Sequence, residues 1–106
     1  MLWIEIHEKL KFSAEKLMKV NLFESERMFF DVYCLEPGQQ QKVHAHDDAD
    51  KIYVALSGSP IVILGEEQRV LSPMQAACAP SGVPHGVRND GPEQATLLVF
   101  QARDRR

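Results

Sequence analysis

Hydrophobic residues recur along this chain in short runs, and turn-forming residues interrupt them at close intervals. The interruptions are Pro37-Gly38, Gly58-Ser59-Pro60, Gly65-Glu66-Glu67, Ser72-Pro73, Pro80 to Gly86 and Asn89-Asp90-Gly91-Pro92. The runs between them are rich in Val, Ile, Leu, Phe and Tyr. Short strands at regular spacing with Gly/Pro turns predict an all-β sandwich or barrel. The pattern predicts strands near 28–36, 42–46, 51–57, 60–64, 68–71, 75–80, 85–89 and 95–101. The segment 10–23 has two readings: Ser13 can cap a short helical turn, or Lys16 to Leu22 can form an edge strand. There is no internal repeat and no low-complexity stretch.

The segment Lys51–Ser57 is the most informative of these strands. Alternation puts Lys51, Tyr53 and Ala55 on one face and Ile52, Val54 and Leu56 on the other. The second face is wholly aliphatic, whereas a sheet with one wet face shows polar residues there. The runs Ile61-Val62-Ile63-Leu64 and Thr96-Leu97-Leu98-Val99-Phe100 are likewise apolar on both faces. Either the N-terminal segment covers these faces or a partner subunit does, and a homodimer is the expectation.

Length and charge narrow the class. A chain of 106 residues makes one domain with one core. Its 44% hydrophobic and 25% charged residues are ordinary for a globular protein. A net charge of −3 and a pI near 5.8 argue against a nucleic-acid partner. The basic residues are scattered except at Arg103–Arg106, which is expected to be a frayed terminus. No apolar run approaches the roughly 20 residues that cross a membrane. Glu5, His7, Glu8 and Lys9 break the apolar character that a signal peptide needs. The expectation is a cytoplasmic protein. Its two cysteines, Cys34 and Cys78, are then small core hydrophobes rather than a disulfide.

Three of the four histidines fall into two patterns. Gly38 is followed after five residues by His44-Ala45-His46, and Pro80-Ser81-Gly82-Val83-Pro84 leads into His85-Gly86-Val87-Arg88-Asn89. Residues i and i+2 of a strand share a face, so His44 and His46 can aim at one point. Gly82 and Pro84 turn the backbone just before His85, which can supply a third imidazole from a distant strand. Three convergent neutral imidazoles suit zinc, iron, copper, nickel or manganese alike, and nothing in the residues chooses among them.

Together the two patterns resemble those of the cupin superfamily. Its first motif is Gly, five residues, His-x-His, three or four residues, Glu, six residues, Gly. Its second is Gly, five residues, Pro-x-Gly, two residues, His, three residues, Asn. Gly38, His44, His46 and Gly58 match the first, and Pro80, Gly82, His85 and Asn89 match the second. The resemblance spans about Leu35 to Phe100, preceded by an N-terminal segment over residues 1–27. It implies a double-stranded β-helix, or jelly-roll, barrel, with His44, His46 and His85 holding one divalent metal.

Two positions depart from the motifs. Met74 stands where the second motif opens on Gly. Lys51 stands where the metal-binding Glu belongs in the register that keeps six residues before Gly58; the other register puts Asp50 there as a possible fourth ligand. Lys51 can be a solvated lysine paired with Asp47, Asp48 or Asp50, a pocket residue that anchors a substrate carboxylate, or a charge that repels the metal. The expected arrangement has its amine at the barrel mouth, paired with a nearby Asp. Tyr53 can bring its hydroxyl near the site or be satisfied elsewhere in the interior. Asp47-Asp48-Ala49-Asp50 lacks the spacing and the Gly of a calcium loop. Asn89 is expected to hold a turn, and Gln39, Gln40 and Gln41 to lie on the surface.

Three histidines from two strands leave coordination positions open, which is the style of a catalytic rather than a structural metal site. Three-histidine centres in the resembled family include dioxygenases; others of its members are isomerases, decarboxylases or binding proteins. Two classes therefore stand. One is a metal-dependent dioxygenase or isomerase acting on a small polar molecule, with its catalytic residues unassigned. The other is a metal-free or non-catalytic small-molecule-binding module.

Overall fold

The computed structural model describes residues 1–103, which form nine strands and one 3-10 turn, Ile6–Lys9. The strands are β1 (Met18–Glu24), β2 (Met28–Leu35), β3 (Gln40–His44), β4 (Ala49–Ser57), β5 (Ile61–Leu64), β6 (Glu67–Val70), β7 (Ala76–Ala79), β8 (His85–Arg88) and β9 (Ala95–Arg103). One sheet has the order β1-β2-β9-β4-β7 and the other β3-β8-β5-β6, and every pairing is antiparallel. This is the double-stranded β-helix that the motifs imply. The ambiguous segment 10–23 contributes the edge strand β1. Ser13 makes only a local turn, accepting a bond from Glu15 N at 3.2 Å. Of the basic end, Arg103 is described: it closes β9 and donates to Ser25 O and Glu24. Residues 104–106 lie outside the described residues. No described helix is long and apolar enough to cross a membrane.

The inner faces of the two sheets bury the main core: Tyr33, Leu35, Tyr53, Ala55, Val62, Leu71, Val87, Leu97 and Val99. Along β4 the burial alternates as the pattern predicts, with Lys51, Tyr53 and Ala55 facing in. The register then builds a gradient inside the barrel. Lys51 pairs with Gln101, two residues on Tyr53 pairs with Val99, and two further on Ala55 pairs with Leu97. One end of the interior is thus polar and the other aliphatic. The whole gradient follows from the two-residue side-chain period acting on both strands at once.

The outer face of the larger sheet carries a second apolar cluster. Leu22, Val32 and Cys34 are buried there under Ile4, Ile6, Leu10 and Phe12, and Leu56 and Leu98 pack with them. The N-terminal segment therefore covers part of the aliphatic face of β4, while Ile52 remains 38% exposed. Of the two cysteines only Cys34 belongs to a core; Cys78 is exposed, because it pairs with the outward-facing Ile52.

Two turn positions show why the motif residues matter. At Gly58 the backbone has φ +75°, and a Cβ would lie 2.5 Å from Gln94 O. No side chain fits that approach. At Met74, where the motif has Gly, the turn is kept with a left-handed φ of 74°. Met74 N still donates to Ala55 O at 2.8 Å, and its side chain is 84% exposed. The strain is local and the fold tolerates it.

Candidate metal centre

β3 and β8 are neighbours in the smaller sheet, and their register sets His44 directly opposite His85. An irregularity in β3 between Gln41 and His44 makes this alignment. Gly86 permits it: a Cβ there would meet Gln41 O at 2.8 Å and Val43 N at 3.0 Å. His46 lies just beyond the end of β3. Its carbonyl accepts a bond from Gly82 N at 2.6 Å, which ties the first histidine segment to the turn ahead of His85.

The three rings converge. Centroid distances are 4.5 Å for His44–His85, 4.8 Å for His44–His46 and 5.5 Å for His46–His85. One ligand nitrogen from each lies within 4.8 Å of the others. His44 Nδ1 and His85 Nδ1 each sit 2.9 Å from the carbonyl two residues earlier, Lys42 O and Val83 O. A carbonyl accepts only, so each Nδ1 carries the proton and each Nε2 keeps its lone pair. Histidine ligands are commonly oriented by such a bond on the far nitrogen. His85 Nε2 is buried with no hydrogen-bond partner. Such orphaned atoms are rare and costly in native interiors. A lone pair so placed, within reach of two more imidazoles, fits a divalent cation. Burial holds both His44 and His85 below their ordinary pKa, and the charge of Lys51 acts in the same direction. Both rings are therefore neutral at pH 7, the form a metal binds.

Asp50 is not brought to the imidazoles. It points to the opposite face of β4 from Lys51, is exposed, and accepts a bond from Ser81 N at 2.9 Å. The bulge that would turn it inward does not form, since β4 runs in unbroken register with β9 from Ala49 to Ala55. Lys51 faces inward and is only 3% exposed. Its Nζ lies 5.6 Å from the Tyr33 ring centroid and 5.4 Å from that of Tyr53. The expected pairing with Asp47, Asp48 or Asp50 does not form. The ion pairs among the described residues are Arg88–Asp90 and Arg103–Glu24. Burial lowers the Lys51 pKa from 10.5 to about 8, with Lys19 acting in the same direction and Asp31 opposing both.

Tyr53 is fully buried beneath the site, its ring 6.2 Å from that of His85. Its hydroxyl donates to Gln41 Oε1 at 3.0 Å, and Gln41 Nε2 donates to Tyr33 OH at 3.1 Å. The polar run Gln39-Gln40-Gln41 predicts a surface position for Gln41. It is buried instead, because the β3 register turns it into the barrel between two tyrosines. Gln39 is also engaged, accepting from Glu36 N and donating to Ser13 O. Asn89 holds its turn as expected, donating to Leu35 O and Glu93 O and accepting from Gly91 N.

A cavity of about 340 Å³ opens onto these groups, lined by His44, His46, Lys51, Lys19, Tyr33 and Gln41 together with Phe29, Asp31 and Gln101. That is the scale of a small-ligand site. A larger cleft of about 730 Å³ between Glu15–Lys19 and Gly38–Gln41 contains none of the three histidines. The sequence patterns single out neither Tyr33 nor Lys19. Their one signal is the position of each opposite the other on neighbouring strands, and that pairing is not local.

The cupin domain family profile matches residues 31–101. The chain belongs to the cupin family. Among solved structures this cupin is similar to TT1209 from Thermus thermophilus, with 46% identity, a TM-score of 0.95, and coverage of 98% of this chain and 99% of that one. It also resembles a conserved protein with a double-stranded β-helix domain from Klebsiella pneumoniae subsp. pneumoniae, at 22% identity and a TM-score of 0.88, covering 97% and 90% of the two chains. An RmlC-like cupin from Desulfovibrio desulfuricans is 24% identical with a TM-score of 0.84, covering 96% of each chain. No curated protein matches the sequence. Within this cupin the three motif histidines lie together, and a buried lysine replaces the motif glutamate.

Proposed function

We propose that this cupin binds one divalent transition metal through His44, His46 and His85 and acts as a metal-dependent enzyme, of dioxygenase or isomerase type, on a small polar molecule. The observation that carries the reading is His85 Nε2, buried without a partner and within reach of His44 and His46. A bound ion there would supply Lewis acidity to a ligand entering from the cavity. The chain's own residues orient and enclose that ligand. The carbonyls of Lys42 and Val83 hold two rings in the required tautomer. The Tyr53–Gln41–Tyr33 chain fixes the wall beside them.

Elemental analysis of protein purified without an affinity tag or chelator tests the metal reading. Wild type should carry close to one ion per chain, and His46→Ala should lose most of it. Stoichiometric metal in His46→Ala would mean that the ligand set is wrong. The same assay separates the two candidates for the motif's glutamate position. Lys51→Glu should raise metal affinity, because a carboxylate replaces a nearby cation, whereas Asp50→Ala should change little.

A second reading, a metal-free binding module, is favoured by one observation: a lysine is buried on the cavity wall that His44 and His46 also line. An ammonium close to a divalent cation is disfavoured unless something screens it. A wild-type protein that takes up no metal and still binds small molecules would decide for this reading.

We further propose that the protein works in the cytoplasm as a homodimer. The location rests on two thiols left unpaired, one buried and one exposed. The dimer rests on the outer apolar strip that the N-terminal segment leaves open, where Ile52 and Phe23 are exposed and Phe30 stacks on Phe100 at 4.6 Å. These four side chains carry no charge to exclude a second copy of themselves. Light scattering should report twice the 12.0 kDa chain mass, and a clean monomer at micromolar concentration would defeat the dimer.

A further inference from the structure

The geometry points to a carboxylate subsite on the cavity wall beside the histidines: the Lys51 ammonium and the Tyr33 hydroxyl take the carboxylate of a small organic acid, whose other polar end faces the three histidines. The placement of that second end rests on the metal reading above; the carboxylate contact does not.

Three observations converge on this subsite. First, Lys51 is 3% exposed, lines the cavity, and belongs to neither ion pair among the described residues. A buried ammonium without a carboxylate is normally avoided, because the lost hydration is not replaced. The aromatic faces of Tyr33 and Tyr53, at 5.6 and 5.4 Å, offset only part of that loss. Asp31 lines the same cavity and attracts the ammonium electrostatically, but it forms no ion pair with Lys51 and accepts a bond from Asn21 Nδ2 at 2.8 Å.

Second, the hydrogen-bond chain has a direction. Tyr53 OH donates to Gln41 Oε1, and Gln41 Nε2 donates to Tyr33 OH. Tyr33 OH is thus an acceptor in the chain and keeps its own proton. No acceptor among the described residues takes that proton, and Tyr33 lines the cavity. Burial pushes its pKa up to about 12, so the hydroxyl remains a donor at any physiological pH.

Third, the cavity's cations outnumber its carboxylates. Lys19 and Lys51 flank the Tyr33 ring, each 5.6 Å from its centroid, against Asp31 alone. Two cationic heads and one unassigned hydroxyl donor match the acceptor lone pairs of a carboxylate. A neutral ligand would leave the ammonium as unpaired as it is without any ligand.

The experiment compares lactate with lactamide, which have nearly the same shape and differ in charge. Binding is followed by amide chemical-shift titration, up to tens of millimolar, on chelator-treated and on zinc-loaded protein. Wild type should bind lactate in both forms, and lactamide about tenfold more weakly or worse. Lys51→Met should lose about tenfold in lactate affinity in the chelator-treated form while still taking up zinc. Tyr33→Phe removes one oxygen, leaves the packing, and should lose severalfold; it carries the test if Lys51→Met does not fold. Lactate binding equal to wild type in Lys51→Met, equal binding of lactamide, or no lactate binding by wild type would each overturn the subsite. Because the decisive titration is made without metal, a failure of the metal reading leaves this outcome legible. Conversely, normal zinc uptake with no Lys51 dependence would sink the subsite and spare the metal reading.

Discussion

The two ends of the barrel interior differ in whether any buried polar group is left unmatched. At the aliphatic end the buried polar side chain is matched: Asn89, fully buried, makes three hydrogen bonds. At the polar end His85 Nε2 has no partner and Lys51 has no carboxylate, although both residues are as deeply buried as the core. Leaving a buried polar group unmatched costs about 1–3 kcal/mol. The same chain avoids that cost at one end of its strands and accepts it at the other. The mismatch is therefore concentrated where a ligand can relieve it. The closed end stabilises the fold, and the open end holds both unmatched groups, His85 Nε2 and the Lys51 ammonium.

The largest effect should come from the aliphatic end. Leu97 is fully buried in the inner core, so Leu97→Ala should cost about 2–5 kcal/mol in denaturant unfolding. Any metal uptake by the folded fraction should be unchanged. A stability loss well under about 1 kcal/mol, below the usual range for such a truncation, would show that the aliphatic end is not the stabilising half.

At the open end the sign should reverse. Lys51 is held at about 8 in the folded protein against 10.5 ordinarily, chiefly by burial. Between those values the unfolded chain binds the proton and the folded chain does not, so stability rises with pH across that window. Below about pH 8 the penalty is present in full. Lys51→Met should therefore stabilise chelator-treated protein at pH 7, by on the order of 1–3 kcal/mol. The advantage should shrink as pH climbs from about 8 and be gone near 10.5. Parallel melts of both proteins across that range check this; a Lys51→Met gain that does not change with pH would mean the amine is paired or solvated.

The smallest effect tests a site outside both ends. Met74 holds a left-handed φ that glycine adopts without strain. Met74→Gly should relieve about 1–2 kcal/mol of strain, offset in part by the entropy glycine adds to the unfolded chain. A net gain of roughly 0.5–1 kcal/mol, with metal uptake and lactate affinity unchanged, is the expected result. A loss of stability would mean that the Met74 side chain contributes packing its exposure does not suggest.

Much of the barrel is legible in the sequence because its determinants are local. Period-two alternation places Lys51, Tyr53 and Ala55 inward, and turn residues bound eight of the nine strands to within a few residues. The i, i+2 rule puts His44 and His46 on one side, and Pro80, Gly82 and Pro84 mark the turn into His85. Segment 10–23 is ambiguous because an edge strand owes its structure to the neighbour it pairs with, here β2.

What tertiary structure alone decided depends on partners distant in sequence. The irregularity in β3 and the missing side chain at Gly86 set His44 opposite His85; neither can be read from spacing, since the close contact is with another strand. The same register buried Gln41 between two tyrosines, although a glutamine in a polar run carries no such signal. For Lys51 the chain specified the face, through alternation. It could not specify the surroundings: Tyr33 comes from β2 and Lys19 from β1, and Asp50 is carried to the far side of its own strand. Alternation is a property of one strand and is written in its residues. Whether a buried charge meets a counter-charge is a property of several strands in register, and only the closed barrel settles that.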